Sequence, residues 1–426
     1  MRGIPWAVTL REGATVEVTY SRCCGLDVHK KTVMACAITP GSDGQPRKEI
    51  REFGTMTEDL LALSDWLTAL RVTHVAMEST GVYWKPIYNL LEATFELLLV
   101  NAQHIKMVPG RKTDVKDSEW IADLLRHGLL RSSFVPDRPH RELRELVRYR
   151  TSLIQEHSAE VNRLQAILEG ANIKLAAVAT DIQGVSAQAI LRSLLDGCTD
   201  TRAMAQLAKG RMRAKIPQLE RALTGSFGPH QRFLLPHLLA HLEFLEDTIA
   251  RLNQEVTSRM APCEADLERL DTIPGVNRRT AEVIVAEAGT DMSRFPTDGH
   301  FASWIGICPG NNESAGKRRS GKTRKGNKWL RAGLAEAGQA AGRTKDSYLG
   351  AQYRRLAGRR GKNRAALAVG HSIAVIAYHL LKDPNLTYTD LGPDYFLHHK
   401  RNAIMHHHVQ QLVALGYRVT LDPAAA

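Results

Sequence analysis

Residues 23–28, CCGLDV, decide the fold, because they set one carboxylate inside an otherwise apolar run with the length of a buried β-strand. Two further β-like runs follow with no helix between them, KTVMACAIT (31–39) and KEIREFGTM (48–56). A carboxylate inside an apolar strand is costly unless it has a partner. Asp27 is therefore the first candidate for a functional residue.

Helical and extended patterns alternate after these three strands. Their order, β-β-β-α-β-α-β-α, predicts a mixed sheet flanked by helices over residues 20–140, as in the ribonuclease H fold. In that fold the first and fourth strands are neighbours in the sheet. The predicted elements are helix 57–70, strand 73–79, helix 82–93, strand 95–102 and helix 114–130.

Three more acidic residues stand where this fold would bring them near Asp27. Glu78 ends the strand THVAMES, and Asp114 and Asp117 open the last helix on one face, three residues apart. Four such charges repel one another unless a cation neutralises them, and two Mg²⁺ ions held there could polarise a scissile phosphate. The alternative is that the helix pair are ordinary N-terminal charges and Glu78 is a solvated strand end.

The rest of the chain is predicted to be mainly helical, so the fold class is α/β plus mainly α. Residues 141–262 contain two apolar seams at heptad spacing, which predict a coiled coil or an antiparallel hairpin, within one chain or between chains. Arg150 and His157 interrupt the first seam. The two seams are Leu143, Val147, Ile154, Val161, Leu164 and Leu168, then Leu238, Leu242, Leu245, Ile249, Leu252 and Val256.

A C-terminal domain is predicted over residues 263–385. It begins with LERLDTIPGVNRRTAEVIVAEAG, which has the form of a helix-hairpin-helix whose turn at Gly275 would meet a phosphate without reading bases. A plain two-helix hairpin is the alternative. Residues 386–426 are predicted as a helical tail, and its consecutive histidines, 406–408, do not share a helix face, which favours a surface helix over a metal site.

Residues 313–326, ESAGKRRSGKTRKG, contain a literal match to the phosphate loop of nucleotide hydrolases, GKRRSGKT (316–323). The flanks contradict that match, because Pro309 and Gly310 interrupt any strand before it and Gly326 breaks a helix after it. We interpret the match as accidental and the cations as phosphate contacts. These cations are Lys317, Arg318, Arg319, Lys322, Arg324, Lys325, Lys328 and Arg331.

Composition favours a nucleic-acid partner. The 426 residues include 57 Lys and Arg against 45 Asp and Glu, a net charge of +12 that suits a polyanion. The 6 cysteines show no C-x-x-C spacing, which indicates reduced, mostly buried thiols and a cytosolic protein. The longest apolar run, 365–381, carries His371 and His379 and is short for a span, so no membrane segment is expected.

Six stretches occur in an order that resembles the DEDD insertion-sequence recombinases of family 110, which are related to the Piv-type DNA invertases. The resemblance covers residues 20–345 and LGPDYF in the tail. It implies a RuvC-like domain that binds Mg²⁺ through Asp27, Glu78, Asp114 and Asp117. The stretches are GLDVHK, AMESTGVYW, KTDVKD, TIPGV, FASWIGICPGNNESAGK and KGNKWLR.

The resemblance also implies a catalytic serine at Ser314, which follows Pro309 by five positions and is preceded by Glu313. Ala315 departs from the glycine that many members have there. A member of this family would exchange DNA strands through a covalent phosphoserine, in a composite site where the acidic cluster of one subunit meets the serine of another.

Its implied partners are donor and target DNA, a noncoding bridge RNA that pairs with both, and further copies of itself, as a dimer and as a tetramer in the synaptic complex. Its implied location is the bacterial cytoplasm, on the nucleoid. Two alternatives remain open: a RuvC-like resolvase or nuclease that uses water in place of Ser314, and a nonenzymatic nucleic-acid-binding protein.

Overall fold

The chain divides into two compact units, Met1–Arg141 and Glu142–Ala426. The four predicted segments, 20–140, 141–262, 263–385 and 386–426, stay predictions beside this division. The structure is a computed structural model, and it describes residues 18–79, 81–101, 117–310, 312–314, 317–320, 323, 325–396 and 401–421.

A five-stranded mixed sheet forms the centre of the first unit, with strand order β3-β2-β1-β4-β5. The first three strands pair antiparallel, whereas β1 pairs with β4, and β4 with β5, in parallel. The predicted neighbourhood of the first and fourth strands is confirmed, and the order is compatible with the ribonuclease H fold. The strands are β1 Cys23–Val28, β2 Thr32–Pro40, β3 Pro46–Gly54, β4 His74–Glu78 and β5 Glu96–Val100.

Helices cover both faces of this sheet. On one face Leu26 and Met77 lie in a buried cluster with side chains of the first two helices. On the other face Cys23 and Ala76 pack with the third helix, because successive side chains of a strand point to opposite faces. The described helices of this unit are α1 Thr57–Ala69, α2 Trp84–Leu91 and α3 Asp117–Arg126.

The second unit is mainly helical, with a helix, α4, that begins at Arg138 and runs to Gly170. Its one described sheet is a short hairpin of two strands, β6 Asn312–Ser314 and β7 Lys317–Ser320. The other described α-helices are α5 Leu175–Val178, α6 Val185–Leu195, α7 Thr201–Gln206, α8 Ile216–Ala222, α9 Pro229–Met260, α10 Glu264–Asp271, α11 Arg278–Ala288, α12 Asp298–Ile305, α13 Lys328–Ala341, α14 Tyr348–Arg360, α15 Lys362–Lys382 and α16 Arg401–Ala414.

The helices α4 and α9 pack against each other as an antiparallel pair. Leu153 lies in a buried cluster with Leu245 and Ile249. Glu142 contacts Arg259 at 3.5 Å, and further along α4 Glu160 contacts His241 at 3.3 Å. Residue numbers therefore increase along α4 in the direction in which they decrease along α9. The two predicted seams therefore meet within one chain, while a coiled coil between chains stays a prediction.

Two larger cores surround this pair. One is built by the helices between α4 and α9, around Ile190 and Leu219. The other joins the base of the pair to α10–α15, around Val256 and Ile284. By length and composition α15 is the one helix in the described ranges that could cross a membrane, and residues such as Val369 and Ile373 bury it in this core.

Candidate functional site

Asp27 and Glu78 lie side by side at the carboxyl ends of neighbouring strands. The parallel register pairs Leu26 of β1 with Met77 of β4, and the next residue along each strand is one of the two acids. Because side chains two residues apart share a face, Glu78 points to the same face as Ala76, which packs with α3. The sheet thus brings these two predicted site residues together on the α3 face.

The backbone of α3 lies directly against β1 at Gly25. A Cβ atom on this glycine would lie 2.3 Å from the carbonyl oxygen of Ser118 and 2.4 Å from the amide nitrogen of Ala122. No larger residue would fit between this strand and this helix. Gly25 is two residues before Asp27 and so shares its face, which places the first turn of α3 beside the acidic strand ends.

The direction of α3 brings its N-terminus to the same end of the sheet. Its last residue, Arg126, accepts a hydrogen bond from the amide of Thr19, at 2.9 Å, ahead of the start of β1. The helix therefore runs antiparallel to β1, and Asp117 opens it at the carboxyl end of that strand. Three of the four predicted carboxylates, on β1, β4 and α3, share one face and one end of the sheet.

The surroundings of Asp27 leave its carboxylate accessible. Its side chain is 25% exposed, and the Nε2 atom of His29 lies 3.2 Å from Oδ2. Asp114 lies outside the described residues. Carboxylate oxygens are the ligands that Mg²⁺ prefers, so the donor types fit this ion. Within the described ranges no three His, Cys, Asp or Glu side chains are grouped as metal ligands, and binding of Mg²⁺ by these residues stays a prediction.

The cysteines near this site are packing residues, as predicted. All 6 cysteines are free, and Cys23, Cys24 and Cys36 are buried. Burial raises the pKa of the Cys23 thiol to about 12 and that of Cys36 to about 11. Since a nucleophile or metal ligand must be a thiolate, these protonated thiols take no part in chemistry at neutral pH.

Ser314 is the last residue of β6 and pairs with Lys317 of β7. The hairpin continues outward to a bridge between Pro309 and Thr323. Residues 317–320 of the phosphate-loop match thus form a strand, and the next helix begins only at Lys328, after the match has ended. This arrangement differs from a phosphate loop, which leads straight into a helix.

The predicted cations divide into three groups. Lys317, Arg318 and Arg319 lie on β7, which the structure describes by its backbone, and Lys322 and Arg324 lie outside the described residues. Lys325 and Lys328 are exposed and Arg331 is half-buried; all three line a cleft of about 570 Å³. The described cations at the start of α13 therefore face open space, as a phosphate contact requires.

Gly275 lies in the turn between α10 and α11, at a φ of 91° that favours glycine. A Cβ atom there would lie 2.3 Å from the carbonyl oxygen of Ala337, so the turn packs against α13 at this point. Asn277, which is exposed, caps α11 by accepting a hydrogen bond from the amide of Thr280 at 2.9 Å. The hairpin of two helices is present, and its phosphate contact stays a prediction.

A buried carboxylate that the sequence did not single out holds the start of α13. Glu287 of α11 is 1% exposed and accepts hydrogen bonds from Arg148 at 2.6 and 2.7 Å. It also accepts one from the side-chain amide of Asn327 at 2.6 Å. Asn327 in turn caps α13 by accepting from the amides of Trp329 and Leu330.

Two arginines of α4 complete this network. Arg144 donates to the backbone carbonyl of Ala286 at 3.0 Å, and burial lowers its pKa to about 10, so it stays charged at neutral pH. Arg150, predicted as an interruption of the seam, is 2% exposed and lies 2.7 Å from Glu282 of α11. Arg150 and Glu282 thus form a buried ion pair that fixes α4 to α11. An acid within the apolar run VIVAEAG was the signal that could have indicated Glu287.

The tail helix α16 presents its histidines to solvent. His406, His407 and His408 are exposed, and the rings of the last two are 5.7 Å apart. The described part of the chain groups no metal ligands there. The interpretation of these residues as a surface helix therefore agrees with the structure.

Two transposase families' models match the two parts of the chain that hold these residues. The model for the DEDD transposase of the IS110 family matches residues 24–173, and the model for the transposase IS116/IS110/IS902 family matches residues 267–354. Together they cover more than half of the chain. The first range contains the acidic end of the sheet, and the second contains the hairpin of Ser314.

Curated relatives are named accordingly. The chain is 26% identical over 324 residues to a probable family 20 transposase of Pseudomonas aeruginosa, covering 74% of this chain and 86% of that protein. It is 23% identical over 320 residues to the transposase for insertion sequence element IS1111A of Coxiella burnetii, covering 74% and 79%. An uncharacterized 43.6 kDa protein of insertion element IS110 from Streptomyces coelicolor is 28% identical over 252 residues, covering 54% and 60%.

Both matched models and all three relatives thus point the same way, and the matches include every part of the chain in which a catalytic residue was predicted. The chain belongs to the IS110 family of insertion-sequence transposases.

Proposed function

We propose that this transposase exchanges DNA strands through a covalent phosphoserine at Ser314, assisted by Asp27, Glu78, Asp114 and Asp117. The observation that supports the proposal is that three of these acidic residues lie on elements, β1, β4 and α3, that meet on one face and at one end of the sheet. Acidic residues placed together at one end of a sheet are candidates for a catalytic site. The matches to DEDD transposases support the same assignment.

The carboxylates hold a divalent cation, which we propose to be Mg²⁺. When bound, the ion would polarise the scissile phosphate and neutralise its charge. Asp27, Glu78 and Asp117 contribute oxygen ligands and Asp114 completes the set. His29, 3.2 Å from Asp27, holds that carboxylate in one orientation.

Ser314 supplies the nucleophile. Its hydroxyl loses a proton as the oxygen attacks phosphorus; one bond between phosphorus and a sugar oxygen breaks, and that sugar oxygen leaves as a hydroxyl by taking up a proton. Attack by the sugar hydroxyl of a second strand then releases the serine and joins the new strand. The bond energy of the broken linkage is kept in the phosphoserine, so the exchange needs no nucleotide hydrolysis.

Cations beside Ser314 hold the phosphates during this exchange. Loss of any one of them would weaken binding without regard to sequence, because contacts to phosphates carry no base information. The turn at Gly275 adds a further backbone contact. The cations are Lys317, Arg318, Arg319, Lys322, Arg324, Lys325, Lys328 and Arg331.

The partners we propose are donor and target DNA, a noncoding bridge RNA that selects both, and further copies of the chain, up to a tetramer, in the bacterial cytoplasm on the nucleoid. Sequence motifs shared with the family support them. The acidic end of the sheet and Ser314 also belong to different compact units. A composite site, with the acids of one subunit and the serine of another, is compatible with that division.

The experiment that tests this function uses a DNA substrate with a nick beside the scissile phosphate, which traps a covalent intermediate. We expect a denaturation-resistant adduct that requires Mg²⁺ and maps to the peptide containing Ser314. Ser314→Ala should lose adduct and recombination yet keep DNA binding, since one hydroxyl is removed and every cation stays.

Ser320→Ala, a change of the same kind on the paired strand β7, is the matched control and should keep the adduct. Cutting by Ser314→Ala with Mg²⁺ would establish water as the nucleophile and make the chain a resolvase-like nuclease. An adduct that maps to Ser320 or Thr323 would assign the mechanism to another hydroxyl.

A further inference from the structure

Basic residues cluster where α14 ends and α15 begins, and in the sequence they are separate from the cations at 317–331. Six of the 11 residues from 354 to 364 are Arg or Lys, and no Asp or Glu occurs between Asp346 and Asp383. All six are exposed. We call this set the junction cluster: Arg354, Arg355, Arg359, Arg360, Lys362 and Arg364.

Only two members of the junction cluster have a local role among the described residues. Arg354 donates to the backbone carbonyls of Thr344 and Lys345, and Arg355 lies 4.2 Å from the centre of the Phe396 ring. The remaining four make no ion pair within the part of the chain that the structure describes. They contrast with Arg144, Arg148 and Arg150 of α4, each of which contacts a carboxylate of α11.

Such a cluster carries an electrostatic cost that a partner would relieve. Like charges at neighbouring helix positions destabilise a helix by a few tenths of a kcal/mol per pair. Here the cations on the last turn of α14 and the first turn of α15 meet across Gly361, which alone joins the two helices at a φ of 83°. The cluster is therefore built as a compact positive surface and not as a string of unrelated side chains.

A cleft leads from this cluster to the start of α13. The helices α13 and α15 pack closely and antiparallel, since a Cβ on Gly338 would lie 2.2 Å from the carbonyl of Ala366, and one on Gly370 would lie 2.7 Å from that of Leu334. The cleft of about 570 Å³ lies beside this contact. Its floor is made largely of alanines, which leaves room for a ligand.

Polar side chains line both ends of the cleft. Lys325, Lys328 and Arg331 lie at the α13 end. Asn363, which stands between Lys362 and Arg364 in the sequence, lies at the α15 end, and Gln339 also lines the cleft. Amide groups between cations suit a chain of phosphates and sugars, whose oxygens accept hydrogen bonds from both. The cleft thus runs from the cations at the start of α13 to Asn363, which is flanked in the sequence by two members of the junction cluster.

We infer that the junction cluster and this cleft bind the sugar-phosphate backbone of one nucleic-acid strand, which passes from the start of α15 towards the start of α13. The inference deepens the proposed function and rests on it for the nature of the substrate. Binding is independent of base sequence. DNA and RNA share the chemistry that the cleft recognises, so both are tested.

The test uses the full chain and measures the salt dependence of binding to a DNA duplex and to an RNA hairpin of matched length. Neutralising three junction cations should flatten the slope of log affinity against log salt by about 0.9 for each lost contact on duplex DNA. A greater loss on the RNA would identify RNA as the strand in the cleft, and a greater loss on the DNA would identify DNA. The variant is Arg359→Gln with Arg360→Gln and Lys362→Gln.

Two controls separate a binding surface from net charge and from misfolding. The variant with Arg359→Lys and Arg360→Lys keeps both charges and should keep the slope. A second triple variant removes three exposed cations from a 3₁₀ turn, Gly210–Lys215, and the residue before it, in the same unit, and should leave the slope nearly unchanged. Its changes are Lys209→Gln, Arg211→Gln and Arg213→Gln.

An unchanged slope in the junction variant, or an equal loss in the variant at 209–213, would overturn the inference. Adduct formation at Ser314 is measured beside it on the same proteins. If the slope stays while wild type forms the adduct, the binding surface alone is wrong. If the slope falls but no wild-type adduct forms, the serine mechanism alone is wrong.

Discussion

The acidic end of the sheet and the hairpin of Ser314 are positioned in different ways. Asp27 and Glu78 take their places from the register of two neighbouring strands, and Asp117 from one helix that touches the sheet at Gly25. The hairpin is followed by α13, whose first residue is fixed by Asn327 and, through it, by the buried Glu287. In the first region the positions of the acids are determined by backbone pairing between strands and by one close contact between strand and helix. In the second region the position of α13 is determined by side-chain hydrogen bonds and ion pairs between helices that are far apart in the sequence.

Because of this difference, the side chains at the acidic end should matter for catalysis, and those around Glu287 should matter for the stability of the fold. At the acidic end a side chain can be removed while the backbone that places it stays paired. Around Glu287 the side chains that place the helix are themselves buried charges, so their removal leaves other charges unpaired. Substitutions in the two regions should therefore have effects of different kinds.

The largest effect is expected from Asp27→Ala. Strand exchange should fall by ~10³-fold or more, because a lost metal ligand removes several kcal/mol of transition-state stabilisation. Thermal stability should stay or rise slightly, since repulsion between the acids is relieved. The measurements are a recombination assay and a thermal melt.

Asp123→Ala is the matched control, because Asp123 is an acid further along α3 that contacts Lys48 at 2.7 Å. It should keep full activity. Wild-type recombination by Asp27→Ala would contradict the catalytic role of the acidic end.

The next effect is expected from Glu287→Ala. Loss of this carboxylate leaves Arg144 and Arg148 without their buried partner, which should lower the free energy of unfolding by ~3–5 kcal/mol. Chemical denaturation measures it. Glu246→Ala, which removes a half-exposed acid beside His157, should cost less than about 1 kcal/mol. Equal losses of unfolding free energy in the two variants would show that the burial of Glu287 contributes nothing to stability.

A smaller loss is expected from Gly25→Ala. The added Cβ meets backbone atoms of α3 at 2.3 and 2.4 Å, so the helix must move, at about 1–3 kcal/mol. Because the movement displaces Asp117, the rate of strand exchange should fall by a larger factor than the loss of folded protein alone would explain. Gly358→Ala, in α14 with nothing within 4 Å, should be neutral or stabilising. Unchanged activity in Gly25→Ala would separate the helix contact from the acidic site.

The smallest effect is expected from Lys328→Ala at the start of α13. Loss of a single phosphate contact should flatten the salt dependence of duplex binding by about 0.9 of a slope unit and leave stability unaltered. Fluorescence anisotropy across a salt series measures the slope. An unaltered slope would mean that Lys328 is solvated and that its contact with the Trp329 ring, at 5.0 Å, is its whole role.

Sequence pattern was sufficient for the acidic region. The apolar alternation of CCGLDV and THVAMES predicted two strands, and the order of elements predicted that these strands are neighbours. From there the positions of Asp27 and Glu78 follow by counting along the register. Gly25 could not be predicted, because a glycine in a strand has several readings and only the packed helix shows which one applies.

The second region was predictable only in part. The absence of a phosphate loop could be argued from Pro309, which interrupts a strand before the match, and from Gly326, which breaks a helix after it. The hairpin of Ser314 was not predicted. In the sequence Arg150 only interrupts an apolar seam, and no pattern singles out a partner for Glu287. Both are long-range partners, and a single sequence does not show which acid on one helix meets which arginine on another.

Glu287 also fixes the axial register of α4. Arg144 and Arg148 are one helical turn apart and both contact it, at 3.8 and 2.6 Å. If α4 slid along its axis by one turn, about 5.4 Å, Ser152 or His140 would replace one of the two arginines. Neither would match a guanidinium beside a buried carboxylate. Through Glu287, α4 is therefore held at one axial position against α11 and, by way of Asn327, against the start of α13.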